Sequence, residues 1–252
     1  MINIKTKEEI SIMSQGGKIL AEILKKLADE AKPEITTNDL EKLARELLLF
    51  YGAESSFLGF NGYPAVLCTS LNDEIVHGLP SKRVLKEGDL LKIDMGVLFE
   101  GFHTDSAVTV VVGGGGDSVK RSLIQTTKES LEIGISKAML GNTLGDIGLA
   151  IQKHVEGNGF NVIRDLVGHG IGRELHEPPQ VLNYGKAGQG ERLVSGMVIA
   201  IEPMVVTKKW GIKNGKDGYV FVTKDGGLSA HFEHTIAVTD SGPVILTKSH
   251  LN

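Results

Sequence analysis

The chain opens with a helical period. Apolar residues recur at Ile10, Met13, Leu20, Leu24 and Leu27, on one face of a long helix. Thr6 followed by Glu9 forms a capping box at its start, and Pro33 stops it near Lys32. Thr36-Thr37-Asn38-Asp39 opens a second helix, with Leu40, Leu43, Ala44, Leu47 and Leu48 toward the core. The period then changes. Residues 54–64 form a loop rich in glycine and aromatic side chains, 66–71 read as a strand, and Asn72-Asp73-Glu74 turn the chain into Ile75-Val76-His77-Gly78. Residues 90–93 and 107–112 are apolar and β-branched, two strands of an antiparallel hairpin closed by a short loop at 98–101. The glycines at 113–116 read as a turn, because a phosphate loop would need a following Gly-Lys-Ser/Thr. A third helix is expected over 117–140, with Val119, Leu123, Ile124, Leu131 and Ile135 on one side. A fourth opens at Asn142-Thr143-Leu144-Gly145-Asp146 and runs through Val155.

This order of elements occurs twice. Each half, roughly 1–113 and 117–252, has a long helix, a Thr-x-x-Asp helix, a His-Gly segment and two strands. LKEGDLLKID at 85–94 lines up with LVSGMVIAIE at 193–202, and FHTDSAVT at 102–109 with AHFEHTIA at 230–237. An internal duplication is the natural reading. It maps Asp94 onto Glu202 and Asp105 onto Glu233. The expected fold class is α/β (α+β), two pseudo-symmetric halves in which a curved antiparallel sheet is covered by helices. A single domain over 1–252 is expected.

The hairpin carries the first chemistry. With its loop seated evenly around Phe99 and Glu100, Asp94 stands opposite Asp105, with Cβ atoms about 4.5–5.5 Å apart. Two carboxylates so placed in apolar strands repel each other, and burial adds to the cost, so a positive charge between them is expected. The repeat adds Glu202 and Glu233. Four carboxylates from apolar contexts call for a pair of divalent cations, and one imidazole would extend the choice to Mn, Fe, Co or Zn. His169, between Gly168 and Gly170, is the best candidate imidazole. A dimetal site activates water and polarises a carbonyl, which favours hydrolysis of an amide or ester.

Composition narrows the class. Of 252 residues, 41% are hydrophobic and 23% charged, ordinary for a globular protein that needs no disulfides, and Cys68 has no second cysteine to pair with. A net charge of −4 without a basic cluster argues against nucleic acid. No membrane-spanning run and no signal peptide are visible, so a cytoplasmic location is expected.

The order Asp94, Asp105, His169, Glu202, Glu233 resembles the metal-ligand set of the methionine aminopeptidases. The stretches NGYPAVLCTSLNDEIVHGLP, GDLLKIDMGV, GFHTDSAVTV, GHGIGRELHEPPQV, GMVIAIEPM and LSAHFEHTIAVT carry that resemblance over nearly the whole chain. It implies the pita-bread fold in its short, bacterial-like type I form, and removal of the initiator methionine from nascent chains, chiefly before a small residue. It implies that Asp105 and Glu233 bridge two metals, Asp94 completes one shell, and His169 and Glu202 the other. Glu202 would also handle the proton of the attacking water, His77 would contact the substrate near the scissile amide, and His176 would stabilise the oxyanion. Phe57, Phe60, Tyr63, Cys68, His77, Leu175 and Tyr219 would line the methionine pocket. Leu175 and Tyr219 depart from the family pattern, which usually has an aromatic and a tryptophan there. Asn72, Glu74 and Ser229 fall at a monovalent-cation site built mainly of backbone carbonyls. Nascent N-termini are the expected partner, the ribosome a candidate one, and the chain is expected to be a monomer. His103, His154, His231, His234 and His250 are read as structural or solvent-facing. Three rivals stay open: a relative that cleaves before proline, a non-catalytic binding module on the same fold, and a structural metal protein.

Overall fold

In the computed structural model, which describes residues 2–248, both predicted N-caps of the first half form. Thr6 Oγ1 accepts from Glu9 N and the Glu9 carboxylate accepts from Thr6 N, opening α1 (Lys7–Glu30). Thr36 and Asp39 do the same for α2 (Thr37–Tyr51), which ends on Gly52 in the left-handed region at φ 63°. Strands β1 (Glu54–Ser55), β2 (Cys68–Leu71), β3 (Glu74–Val76), β4 (Leu90–Phe99) and β5 (Phe102–Val111) complete the first half. The second half begins with α3 (Ser118–Ser136) and α4 (Leu144–Gly157), then β6 (Asn161–Val162), β7 (Gly168–Gly170), β8 (Glu177–Val181) and β9 (Val198–Ile201). It continues with β10 (Met204–Val206), β11 (Ile212–Asn214), β12 (Phe221–Thr223), β13 (Ser229–His231), β14 (Glu233–Thr239) and β15 (Gly242–Ile245).

The duplication is visible in the sheet. Nine antiparallel strands run β1-β4-β5-β14-β9-β7-β8, with β2 added to β4 and β15 to β14. Equivalent strands of the two halves, β5 and β14, meet at the centre through Glu233 opposite Ala107 and His234 opposite Ser106. Two three-stranded sheets, β13-β10-β6 and β11-β12-β3, stand beside it. Helix α1 packs against β4 and β5, and α3 against α4 and the second-half strands. Gly17 allows the close approach of α1, since a Cβ there would lie 2.4 Å from the Leu246 carbonyl oxygen.

Three expectations need correction. The hairpin turn sits one residue later than predicted, on Glu100 and Gly101, both left-handed (φ 47° and 79°) as a two-residue hairpin loop requires. Asp94 therefore pairs with Ala107, and Asp105 with Gly96. The two aspartates stay on one face but stand diagonally, because moving the turn by one residue shifts the register by two. Helix α3 ends at Ser136, not Leu140, since Lys137 and Ala138 turn back onto Gly134 and Ile135. Its buried face includes Thr126, Thr127 and Ser130 while Val119 is exposed; the hydroxyls of Thr127 and Ser130 bond to helix carbonyls of Leu123 and Thr127 and so bury without loss. The strand expected from 66 begins at Cys68, because Val66 N and Leu67 N donate to the Glu41 carboxylate. The glycines at 113–116 form a turn, three of them at positive φ.

Candidate metal centre and active site

The sheet centre collects the acidic residues. Asp94 comes from β4 and Asp105 from β5. Glu202 follows β9, and Glu233 begins β14. The β5–β14 junction is pinned by Thr235, whose Oγ1 accepts from Asp105 N at 2.9 Å and donates to Asp105 O at 2.8 Å. His169 lies in β7, and its Nδ1 donates to the Gly170 carbonyl at 2.9 Å, which leaves Nε2 3.6 Å from Glu202 Oε1. The flanking glycines are a steric requirement. A Cβ at 168 would lie 2.3 Å from the Ala200 oxygen, and one at 170 would lie 2.2 Å from the Pro178 oxygen. Asp105, His169 and Glu233 present ligand atoms within 4.8 Å of one another. Asp94 Oδ1, Asp105 Oδ1 and Glu233 Oε1 are buried without a hydrogen-bond partner. Orphaned carboxylate oxygens around one imidazole fit divalent cations, which would satisfy them all.

A cavity of about 260 Å³ opens above this cluster. All four carboxylates and His169 reach it, as do Phe57, Phe60, Tyr63, Cys68, His77, Leu175, His176 and Tyr219. Val76, Leu166, Val167 and Met204 line it as well, unforeseen because they come from short strands and irregular chain without a period. His77 follows β3 with a left-handed backbone (φ 62°), a conformation that costs about 1–3 kcal/mol and collects at functional sites. His176 precedes β8; its ring stands edge-on to Phe60 at 5.0 Å and 4.3 Å from the His169 ring. Behind it, buried Glu177 is held by Lys5 Nζ at 2.6 Å. Tyr63 and Tyr219 pack edge-to-face at 5.3 Å, and Tyr219 donates to Gly62 O at 3.0 Å.

Comparison with known proteins places this geometry. A model of metallopeptidase family M24 matches residues 11–240. The chain belongs to metallopeptidase family M24. It is 48% identical over 248 residues to the methionine aminopeptidase of Clostridium acetobutylicum, covering 98% of this chain and 99% of that one. Methionine aminopeptidase 1 of Bacillus subtilis is 45% identical over 98% of this chain and 100% of its own. The crystal structure of methionine aminopeptidase from Thermotoga maritima superposes with a TM-score of 0.97 at 46% identity, over 99% of this chain and 100% of that one. A prolidase from Pyrococcus furiosus shares the fold (TM-score 0.78, 24% identity), and the chain spans 66% of it. The architecture is the pita-bread fold, and a member of M24 uses a divalent metal for peptide hydrolysis.

The electrostatics of the M24 centre follow from burial. Asp105 is pushed up to about 7, chiefly by desolvation. Burial and mutual repulsion hold Asp94, Glu202 and Glu233 well above the usual carboxylate range. The buried imidazoles move the other way: desolvation lowers His169 and His234 to about 4 and His231 to about 3. His77 is also lowered to about 4; water reaches its ring through the cavity, but protein surrounds much of it. A raised carboxylate stabilises the metal-free fold below its unfolded pKa and loses that contribution as pH rises through the folded value. A depressed histidine contributes above about 6.5 and loses its contribution as pH falls through the folded value. Below about 6.5 the two trends oppose. Above pH 7 three raised carboxyls, Asp94, Glu202 and Glu233, stand against the opposite trend of one amine, Lys92, which burial lowers to about 7. The thermal midpoint of chelator-treated protein is therefore expected to fall as pH rises above about 7, where the three carboxyls lose their protons. Added divalent metal is expected to remove the fall, and a flat metal-free profile would contradict this account.

Of the two readings of His231, structural or solvent-facing, burial removes the second. The residue is 1% exposed, with neither ring nitrogen hydrogen-bonded, and its Nε2 lies 3.6 Å from Glu202 Oε2 and 3.9 Å from Glu233 Oε2. Its position two residues before Glu233 was the available signal, obscured by its repeat partner His103, which meets Ser56 Oγ at 2.9 Å. His234 bonds Thr247 Oγ1 and His154 meets Glu129 at the surface, both structural; His250 lies outside the described residues. The residues read as a monovalent-cation site meet beside a lysine. The carbonyls of Asn72, Glu74 and Ser229 do converge, but Lys92 Nζ donates to Asn72 O at 2.9 Å and Ser229 O at 3.3 Å.

Proposed function

We propose that this M24 chain is an aminopeptidase that removes the N-terminal methionine of newly made polypeptides, preferring a small second residue. The convergence of four carboxylates and His169 at the floor of a small, largely apolar cavity carries the reading. Identity of 48% and 46% with proteins named methionine aminopeptidase, against 24% with the prolidase, supports it over cleavage before proline.

Asp94, Asp105, His169, Glu202 and Glu233 would hold two divalent ions. Two such ions, whether Mn, Fe, Co or Zn, would lower the pKa of a water and polarise the scissile carbonyl. Glu202 takes the proton of the attacking water and passes it to the leaving amine. His77 and His176, held neutral by their surroundings, offer N–H donors: His77 to the scissile amide and His176 to the developing oxyanion. The aromatic rings and the Cys68 thiol accept the thioether side chain, and the cavity walls exclude water. Leu175, where the family usually has an aromatic, leaves that wall softer. The proposal extends to one catalytic unit across the chain, acting as a monomer on nascent chains in the cytoplasm, with the ribosome as its meeting place.

Chelator-stripped protein is expected to release no methionine from Met-Ala-Ser, and to recover activity when titrated in turn with Mn, Fe, Co and Zn. A bulky second residue is expected to lower kcat/KM by at least about tenfold, roughly 1.4 kcal/mol of transition-state stabilisation. Faster cleavage of Xaa-Pro peptides than of Met-Ala-Ser would overturn the reading.

A further inference from the structure

Lys92 breaks the symmetry of the two halves beside their acidic centre. Its repeat counterpart on β9 is Ala200. Lys92 is 1% exposed, yet it carries an amino group into the protein interior. That group meets backbone oxygens only, Asn72 O at 2.9 Å and Ser229 O at 3.3 Å. Both oxygens belong to a tightly bonded junction. Ser229 N donates to Asn72 O at 3.0 Å and Ser229 Oγ to Glu74 O at 2.8 Å. The Asn72 side chain is fixed too, donating to Asp89 Oδ1 at 2.9 Å and accepting from Leu90 N at 3.0 Å. Burial works against a positive charge on Lys92, as does Arg83, while Glu74, Asp73 and Asp89 around the junction favour it. A cluster of carbonyl oxygens with carboxylates behind it is a site for a weakly hydrated cation.

We propose that the Lys92 ammonium is a built-in monovalent cation, filling the carbonyl cage of Asn72 and Ser229 in place of a diffusible sodium or potassium ion. The cage ties together three segments. Lys92 stands two residues before Asp94, the turn at Asn72 leads through β3 to His77, and the β13 strand from Ser229 leads to Glu233. An ammonium bonded covalently to β4 holds these segments at fixed spacing whatever the salt outside. A free ion would leave the cage as its concentration fell. The inference concerns the junction rather than catalysis, so its test reads stability and ion occupancy, which do not depend on the proposed peptidase activity.

The test compares the whole protein with its Lys92→Ala and Lys92→Met variants in sodium, potassium and tetramethylammonium chloride at equal ionic strength. The unmodified protein is expected to melt at the same temperature in all three salts. Lys92→Ala is expected to melt lower and to regain about 3–6 °C in sodium or potassium but not in tetramethylammonium, which is too large for the cage. Lys92→Met, which fills the space without charge, is expected to melt lower with no ion-specific recovery. Crystals of Lys92→Ala soaked in thallium(I) are expected to show an ion between the Asn72 and Ser229 oxygens, and crystals of the unmodified protein none. An alanine variant indifferent to the ions overturns the proposal, as does selective stabilisation of the unmodified protein by sodium or potassium. If neither variant folds, the unmodified protein decides: no thallium at the cage supports the proposal, and a thallium ion there overturns it.

Discussion

Glu233→Gln is expected to abolish peptide hydrolysis and, in the metal-free protein, to raise thermal stability. The two effects share one cause. Glu233 is 2% exposed, Oε1 has no partner, and Asp105, Glu202 and Asp94 all raise its pKa by repulsion on top of desolvation. Without metal, this carboxyl costs the fold free energy, because it must be buried as a charge or keep a proton that the unfolded chain gives up. An amide of the same shape removes that cost and offers donors to neighbouring acceptors. A gain of about 1 kcal/mol shifts the midpoint by roughly 2–4 °C in a protein of this size. With metal added, the order reverses. A proposed metal ligand is lost, and turnover is expected to fall by at least about 10³, on the order of 4 kcal/mol of transition-state stabilisation. Calorimetry with and without metal, alongside turnover of Met-Ala-Ser, checks both halves. A variant that keeps its metal-induced rise in midpoint, or its activity, would remove Glu233 from the centre.

His176→Ala is expected to lower kcat by about 10²–10³ while leaving the metal content unchanged, the loss seen when one preorganised donor to an oxyanion is removed. The physical ground is its position: its ring lies 4.3 Å from that of His169, on the cavity wall beside the cluster. Its pKa is lowered first by desolvation and then by His103, so at neutral pH it donates as a neutral imidazole. Metal titration by the change in thermal midpoint separates the roles. A donor to the transition state affects kcat and not metal affinity, whereas a hidden ligand affects both. Loss of metal together with activity would assign His176 to the metal shell instead.

Much of this was legible along the chain. Caps at Thr6 and Thr36 open helices where their side chains reach the third backbone N–H, a local interaction that needs no distant partner. The doubled pattern joined Asp94 to Glu202 and Asp105 to Glu233, and the structure brings all four to one cavity. Errors arose where tertiary partners compete with local preference. Glu41 takes the N–H groups of Val66 and Leu67 out of a strand, and buried threonines and a serine carry the face of α3 that hydrophobicity assigned elsewhere.

The sequence by itself determined which residues are acidic, how they repeat and which local elements they stand on, because capping, period and duplication are properties of neighbouring residues. Only the tertiary structure decided the diagonal register of Asp94 and Asp105, the place of His231 against Glu202 and Glu233, and the entry of Lys92 into the cage of Asn72 and Ser229. Those three depend on contacts across the sheet and between the halves, where one residue of turn position or one long side chain changes which charges meet.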